Sequence, residues 1–202
     1  MITILCGGSR GDVQPYLSLA LALKKLGKEV RIASSQNHAS LVQKYGIDFY
    51  PTSEDFDALN VDPEMIRQAQ QADNPLKMFF SFQKMKKYGI HMVNQSYAAC
   101  ANSELIVYHP GVSIAYFAAK KMGVPCVLAS PFPIHRTRQR LSVLLYGKIK
   151  SNGMINLLSY EMLQKMLWMT AEASLKPFWK ETFGTLPQSF GPPFERHQDS
   201  RH

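Results

Sequence analysis

Short apolar runs alternate with segments of helical periodicity along much of this chain. Ile2-Thr3-Ile4-Leu5-Cys6 is β-rich and halts at Gly7-Gly8, as a buried strand would. After the loop Gly7 to Val13, the spacing predicts a helix from about Gln14 to Leu26, with Pro15 in its first turn and Gly27 as its stop. Leu17, Ala20, Leu21, Ala22, Leu23 and Leu26 give it the broad apolar face of a helix lying on a sheet. Glu29 to Ala33 reads as a second strand, Asn37 to Tyr45 as a helix ended by Gly46, and Ile47 to Tyr50 as a third strand. This alternation predicts an α/β fold built on a parallel, doubly wound sheet.

The middle is less regular. Pro51 to Asp62 reads as a polar loop, and Pro63 to about Ala101 as two helices separated near Asn74-Pro75. The alternation then returns, with a strand at Leu105 to Tyr108, a helix at Val112 to Met122 stopped by Gly123, and a strand at Val124 to Ala129. Ser130 to Arg140 is a loop bearing proline and arginine, and Ile155 to Phe183 is mostly helical. Leu158, Met162, Met166 and Met169 recur at helical spacing there, a stripe expected in the core rather than around a ligand. A single domain is expected over 1–193, followed by a polar, frayed tail over 194–202.

Composition narrows the chemistry. With 202 residues, 46% of them hydrophobic, the chain can bury one sizeable core. The net charge of +8 favours an anionic neighbour, whether a phosphate-bearing ligand or an acidic lipid surface. No module that binds nucleic acid accompanies the charge, so nucleic acid is not an expected partner. Cys6, Cys100 and Cys126 are odd in number and far apart, which suits packing in a reducing cytoplasm better than disulfides or metal. The first apolar run is too short for a secretory leader, and no apolar run approaches a membrane span. No metal site is expected, since His197 and His202 have no partner at ligand spacing.

The loop Gly7-Gly8-Ser9-Arg10-Gly11-Asp12-Val13-Gln14-Pro15 carries the sharpest signal. In an open parallel sheet ligands gather at the carboxyl ends of strands, and the following helix offers free N–H groups to an anion. Neither G-x-x-x-x-G-K-[ST] nor G-x-G-x-x-G fits these glycines, which leaves little support for a dinucleotide or flavin enzyme. Asp12 reads in two ways from its position: as a helix N-cap, or as a general base at the mouth of a cleft. The roles compete, because a carboxylate that accepts hydrogen bonds from a cap is a weaker base.

Taken whole, Gly8-Ser9-Arg10-Gly11-Asp12-Val13-Gln14-Pro15-Tyr16 resembles the opening loop of the sterol and glycopeptide glucosyltransferases, the family 28 type of the GT-B superfamily. Gly27-Lys28-Glu29-Val30-Arg31-Ile32-Ala33, Tyr45-Gly46-Ile47-Asp48-Phe49-Tyr50-Pro51, Gly123-Val124-Pro125 and Ala129-Ser130-Pro131-Phe132-Pro133 extend the resemblance to about residue 140. It implies a Rossmann-like domain, the acceptor-binding half of a GT-B fold. It also implies inverting transfer of a hexose from a nucleoside-diphosphate sugar, with UDP-glucose the expected co-substrate, to a hydroxyl of a sterol, lipid or other small apolar acceptor. By this resemblance Asp12 is the general base, and Ser9, Arg10 and Gly11 face the donor's phosphates.

Two further regions bear on the acceptor. His109, in Tyr108-His109-Pro110-Gly111, should sit at the carboxyl end of a strand opening into the same cleft, either as a loop histidine without a role or as an acceptor contact. Pro131, Phe132 and His135 begin a loop that continues through Arg136, Arg138 and Arg140 to an apolar cluster and Lys148 and Lys150. Acceptor contacts are expected from its first residues, while its basic ones suit equally an anionic membrane surface or a solvated charged loop beside an ordinary core helix. The motifs of a donor-binding domain are absent from the sequence. The chain is therefore expected to act with a donor half elsewhere, in a separate subunit or lost by truncation, and to turn over little donor alone. The rival is a ligand-binding module of the same fold without chemistry.

Overall fold

The computed structural model describes residues 1–53, 86–145 and 152–194. The expected break at Asn74-Pro75, the polar loop after Ser53, Lys148, Lys150 and the tail after Phe194 lie outside them. The element order is β1 (Ile2–Leu5), α1 (Arg10–Lys25), β2 (Val30–Ser35), a 3-10 turn (Gln36–His38), α2 (Ala39–Gln43) and β3 (Asp48–Ser53). There follow α3 (Lys86–Ala99), β4 (Leu105–Tyr108), α4 (Ile114–Met122), β5 (Cys126–Leu128) and α5 (Gly153–Phe183).

All five strands are parallel, in the order β3-β2-β1-β4-β5. β1 is thus the central strand, and the order reverses between it and β4. This is the doubly wound, Rossmann-like α/β sheet that the alternation predicted. The two-residue period of the strands sends side chains to opposite faces. Ile4, Cys6, Ile32 and Val107 pack with Val13, Tyr16, Leu17 and Ala20 of α1 and Val42 of α2. Leu5, Ala33, Ile106 and Tyr108 face the other way, into a core with α4, α3 and the aromatic end of α5. Gly27, Gly46 and Gly123 take positive φ values of 73°, 66° and 70°, ending their helices where the sequence placed the stops.

Several boundaries differ from the sequence reading. Helix α1 starts four residues early, at Arg10, because Ser9 takes the N-cap position. Pro15 consequently falls in the second turn, where its ring removes a helix bond to Gly11 at an exposed position. Strand β3 runs on through Pro51 to Ser53, which an edge strand tolerates because Pro lacks only the N–H.

The methionine stripe of α5 is a clearer correction. Leu158, Met162 and Met169 are 56%, 44% and 40% exposed, while Asn156, Ser159, Tyr160 and Leu163 face inward. Two of the inward polar groups are satisfied locally: Asn156 Nδ2 donates to the Arg138 carbonyl at 2.7 Å, and Ser159 Oγ accepts from the Ser142 N–H at 2.9 Å, while the buried Tyr160 hydroxyl has no hydrogen-bond partner among the described residues. Phe194, which the sequence reading put in the polar tail, is fully buried in the second core.

Candidate functional site

The site is built where three loops leave the carboxyl ends of β1, β2 and β4. After Leu5, the Cys6 N–H still pairs with the Ala33 carbonyl at 3.0 Å, and the His109 N–H with the Leu5 carbonyl at 2.9 Å. The chain then turns through Gly7 and Gly8, the latter at φ +111°. Ser9 is extended and caps α1. Asp12, at the third helical position, reaches back so that its Oδ2 accepts from the Ser9 N–H and the Ser9 hydroxyl, each at 2.8 Å. This is a capping box with Asp in place of the commoner Glu.

Asp12 is therefore neither the N-cap nor a detached base. Both hydrogen bonds fall on Oδ2, and Oδ1 accepts none among the described residues. The side chain is half-buried at the loop's mouth, while Ser9, Arg10 and Gly11 are exposed around it. Gly8 is obligatory in this arrangement, since a Cβ there would lie 2.5 Å from Asp12 Oδ2 and its φ is one that L side chains rarely adopt.

His109 closes the site from the β4 side. Its ring meets Tyr16 edge-on at 5.9 Å and Phe132 at 6.0 Å. Nδ1 accepts from the Gly111 N–H at 3.0 Å, so the proton of the neutral ring is on Nε2. Nε2 is buried without a partner among the described residues. Burial holds the His109 pKa below its ordinary value against the opposing pull of the Asp12 charge. Tyr16, one turn beyond Asp12, donates its hydroxyl to the Ala129 carbonyl and so ties α1 to the loop after β5. Its phenol is pushed above its ordinary range, by burial first and then by Cys6 and Asp12.

The structure thus gathers Asp12, Ser9, His109 and Phe132 at the carboxyl end of the sheet. Pro131 and His135 are exposed on the loop that carries Phe132. Two side chains that sequence reasoning missed, Tyr16 and His38, brace the same place, His38 through a 3.1 Å contact of Nε2 with the Gly8 carbonyl. The Ser-x-x-Asp spacing was a legible capping-box signal; nothing in the sequence marks His38. Among the described residues, no group of three His, Cys, Asp or Glu side chains is placed to hold a metal ion.

A family model, the glycosyltransferase family 28 N-terminal domain, matches residues 2–131. The chain belongs to this family. Its match covers β1 through Pro131, and so the loops that leave β1, β2 and β4 around Asp12. Among curated relatives, the sterol 3-beta-glucosyltransferase of Yarrowia lipolytica is 26% identical over 185 residues, which is 90% of this chain and 12% of that protein. The enzyme of the same name from Candida albicans is 26% identical over 170 residues, 83% of this chain and 11% of that one. The chain thus spans about an eighth of the length of these relatives.

Solved structures agree on the fold. The glycosyltransferase SnogD from Streptomyces nogalater superposes with a TM-score of 0.55 at 17% identity, covering 94% of this chain and 42% of that one. The Streptomyces sp. SF2575 glycosyltransferase SsfS6, complexed with thymidine diphosphate, gives 0.54 at 18%, covering 90% and 45%. The family 28 domain therefore has the fold of one half of a GT-B glycosyltransferase.

Proposed function

We propose that this domain is the acceptor-binding half of an inverting glycosyltransferase that moves glucose from UDP-glucose to the hydroxyl of a sterol or another apolar lipid. One observation carries the reading: a half-buried carboxylate, anchored through Oδ2 alone, stands at the point where the strand order reverses, the expected ligand crevice of such a sheet. The family membership and the sterol 3-beta-glucosyltransferase relatives support the substrate class.

In this account the split use of Asp12 resolves the conflict between cap and base. Oδ2 stays with Ser9, while Oδ1 takes the proton of the acceptor hydroxyl as its oxygen attacks the anomeric carbon. The bond from that carbon to the diphosphate breaks, and the nucleoside diphosphate departs with the electron pair. Attack from the face opposite the leaving group inverts the configuration. A positioned base is worth about 10² to 10⁴ in rate, or roughly 3 to 5 kcal/mol. Negative charge growing on the diphosphate is met by Arg10 and the N-terminal N–H groups of α1.

His109 is not the base: its Nδ1 lone pair is taken by Gly111, and Nε2 already carries a proton. It serves as a wall, and the acceptor's apolar body lies against Phe132 and Pro131 with His135 at the outer rim. The donor half comes from the rest of the polypeptide or from a second subunit. The exposure of Arg138 and Arg140 and of the apolar Val143 and Met154 supports peripheral contact with an anionic bilayer. The test is to supply the complete transferase with labelled UDP-glucose and a sterol and to read the anomeric configuration of the product by NMR. A β-glucoside is expected from the α-linked donor; a retained α-linkage, or no transfer, contradicts the proposal.

A further inference from the structure

The peptide unit between Gly8 and Ser9 is gripped at both ends. Its N–H, on Ser9, donates to Oδ2 of Asp12 at 2.8 Å, and its carbonyl, on Gly8, lies 3.1 Å from Nε2 of His38. A carbonyl oxygen can only accept, so Nε2 carries the proton and donates. His38 is 6% exposed and ends the 3-10 turn that leaves β2, the strand paired directly to β1. Its place is therefore set by the sheet, independently of the loop it touches.

We infer that His38 is a positioning residue for Asp12, acting through the Gly8–Ser9 peptide. The inference rests on the reading of Asp12 as base. Gly7-Gly8 has no side chain of its own to fix the orientation of that peptide, and Gly8 sits at φ +111°, where glycine is free to move. The Asp12 carboxylate occupies the room that glycine leaves at the same point, its Oδ2 lying 2.5 Å from where a Gly8 Cβ would stand. A small rotation of the peptide would both withdraw the Ser9 N–H and change the room left for the carboxylate. The two hydrogen bonds also act in series across one peptide group. A donor on the carbonyl polarises the unit and strengthens its N–H as a donor to Asp12. His38 thus holds the base in register without touching substrate.

The test compares His38→Phe, which removes the donor, with His38→Gln, whose amide can place an N–H near the position of Nε2. In the complete transferase, H38F should lower kcat about tenfold or more with acceptor KM within about twofold, and H38Q should recover most of the loss. In the 15N–1H spectrum of this chain, the Ser9 amide proton should move upfield in H38F and return in H38Q. Unchanged kcat in folded H38F, or an unmoved Ser9 resonance, overturns the inference. So does H38Q behaving like H38F while melting like the wild type. If H38F fails to fold, His38→Asn, too short to span to Gly8, takes its place with the same expectations. Asp12→Asn run in parallel separates the two ideas: full turnover by that variant removes the base assignment, and the Ser9 resonance then decides the His38 contact alone.

Discussion

Replacing Gly8 by alanine tests the construction of the site at its tightest point. The new Cβ would stand 2.5 Å from Asp12 Oδ2 and 3.0 Å from its Cγ, so the carboxylate must retreat by about an ångström to reach ordinary contact. The backbone at φ +111° adds strain of about 1 to 3 kcal/mol for any residue with a Cβ. Retreat also weakens the two bonds to Ser9, each worth about 0.5 to 1.5 kcal/mol. Together these give about 2 to 6 kcal/mol if both bonds are lost, a fall in Tm of roughly 4 to 24 °C for a chain of this size. Circular dichroism melting of the chain measures this. In the complete transferase, displacement of the base by about an ångström should cost about 10² in kcat. Gly7→Ala is the matched control, since its Cβ would meet only Val112 at 3.9 Å. A G8A protein that melts within about 2 °C of G7A and turns over equally would refute the reasoning.

Two other expectations follow from the buried groups. Because burial depresses the His109 pKa, the unfolded chain binds more protons than the folded one below about pH 6.5. Stability should accordingly be full above that pH and fall as pH drops through it toward the folded value, with a slope of at most about 1.4 kcal/mol per unit. Urea unfolding between pH 5 and 7.5 should show this slope in the wild type and a flatter one in His109→Asn, which keeps an acceptor for Gly111; equal slopes would contradict it. Burial also pushes the thiols of Cys6 and Cys100 up to about 12, whereas Cys126 is less enclosed. With a thiol–disulfide reagent at pH 8, Cys126 should react first and the other two only on unfolding. Prompt reaction of all three in the native protein would count against the packing described.

The fold was legible because its signals are local. Apolar runs such as Ile2–Cys6 and Leu105–Tyr108 stop abruptly, and Gly27, Gly46 and Gly123 end helices through a backbone conformation only glycine adopts freely. Strand order was not legible, since the placing of β4 beside β1 depends on contacts about a hundred residues apart. The start of α1 was misplaced because Gly11 looks like a loop residue and Pro15 like a first-turn one, while the reciprocal bonds of Ser9 and Asp12 outweigh both. In α5 the usual pattern is inverted: Asn156 and Ser159 go inward because loop partners satisfy them, and Leu158 and Met162 are left outside. Asp12 could be found from its motif. His38 could not, because its importance comes from where β2 delivers it and from nothing in its neighbours in sequence.

The account's central claim is that the Asp12 carboxylate removes the acceptor's proton. The most direct measurement is single-turnover sugar transfer by the complete transferase carrying Asp12→Asn, whose side-chain oxygen can still accept from the Ser9 N–H. A loss of about 10² or more in the transfer rate, with Tm and acceptor affinity close to wild type, is predicted. Transfer at the wild-type rate by a correctly folded D12N enzyme would contradict it.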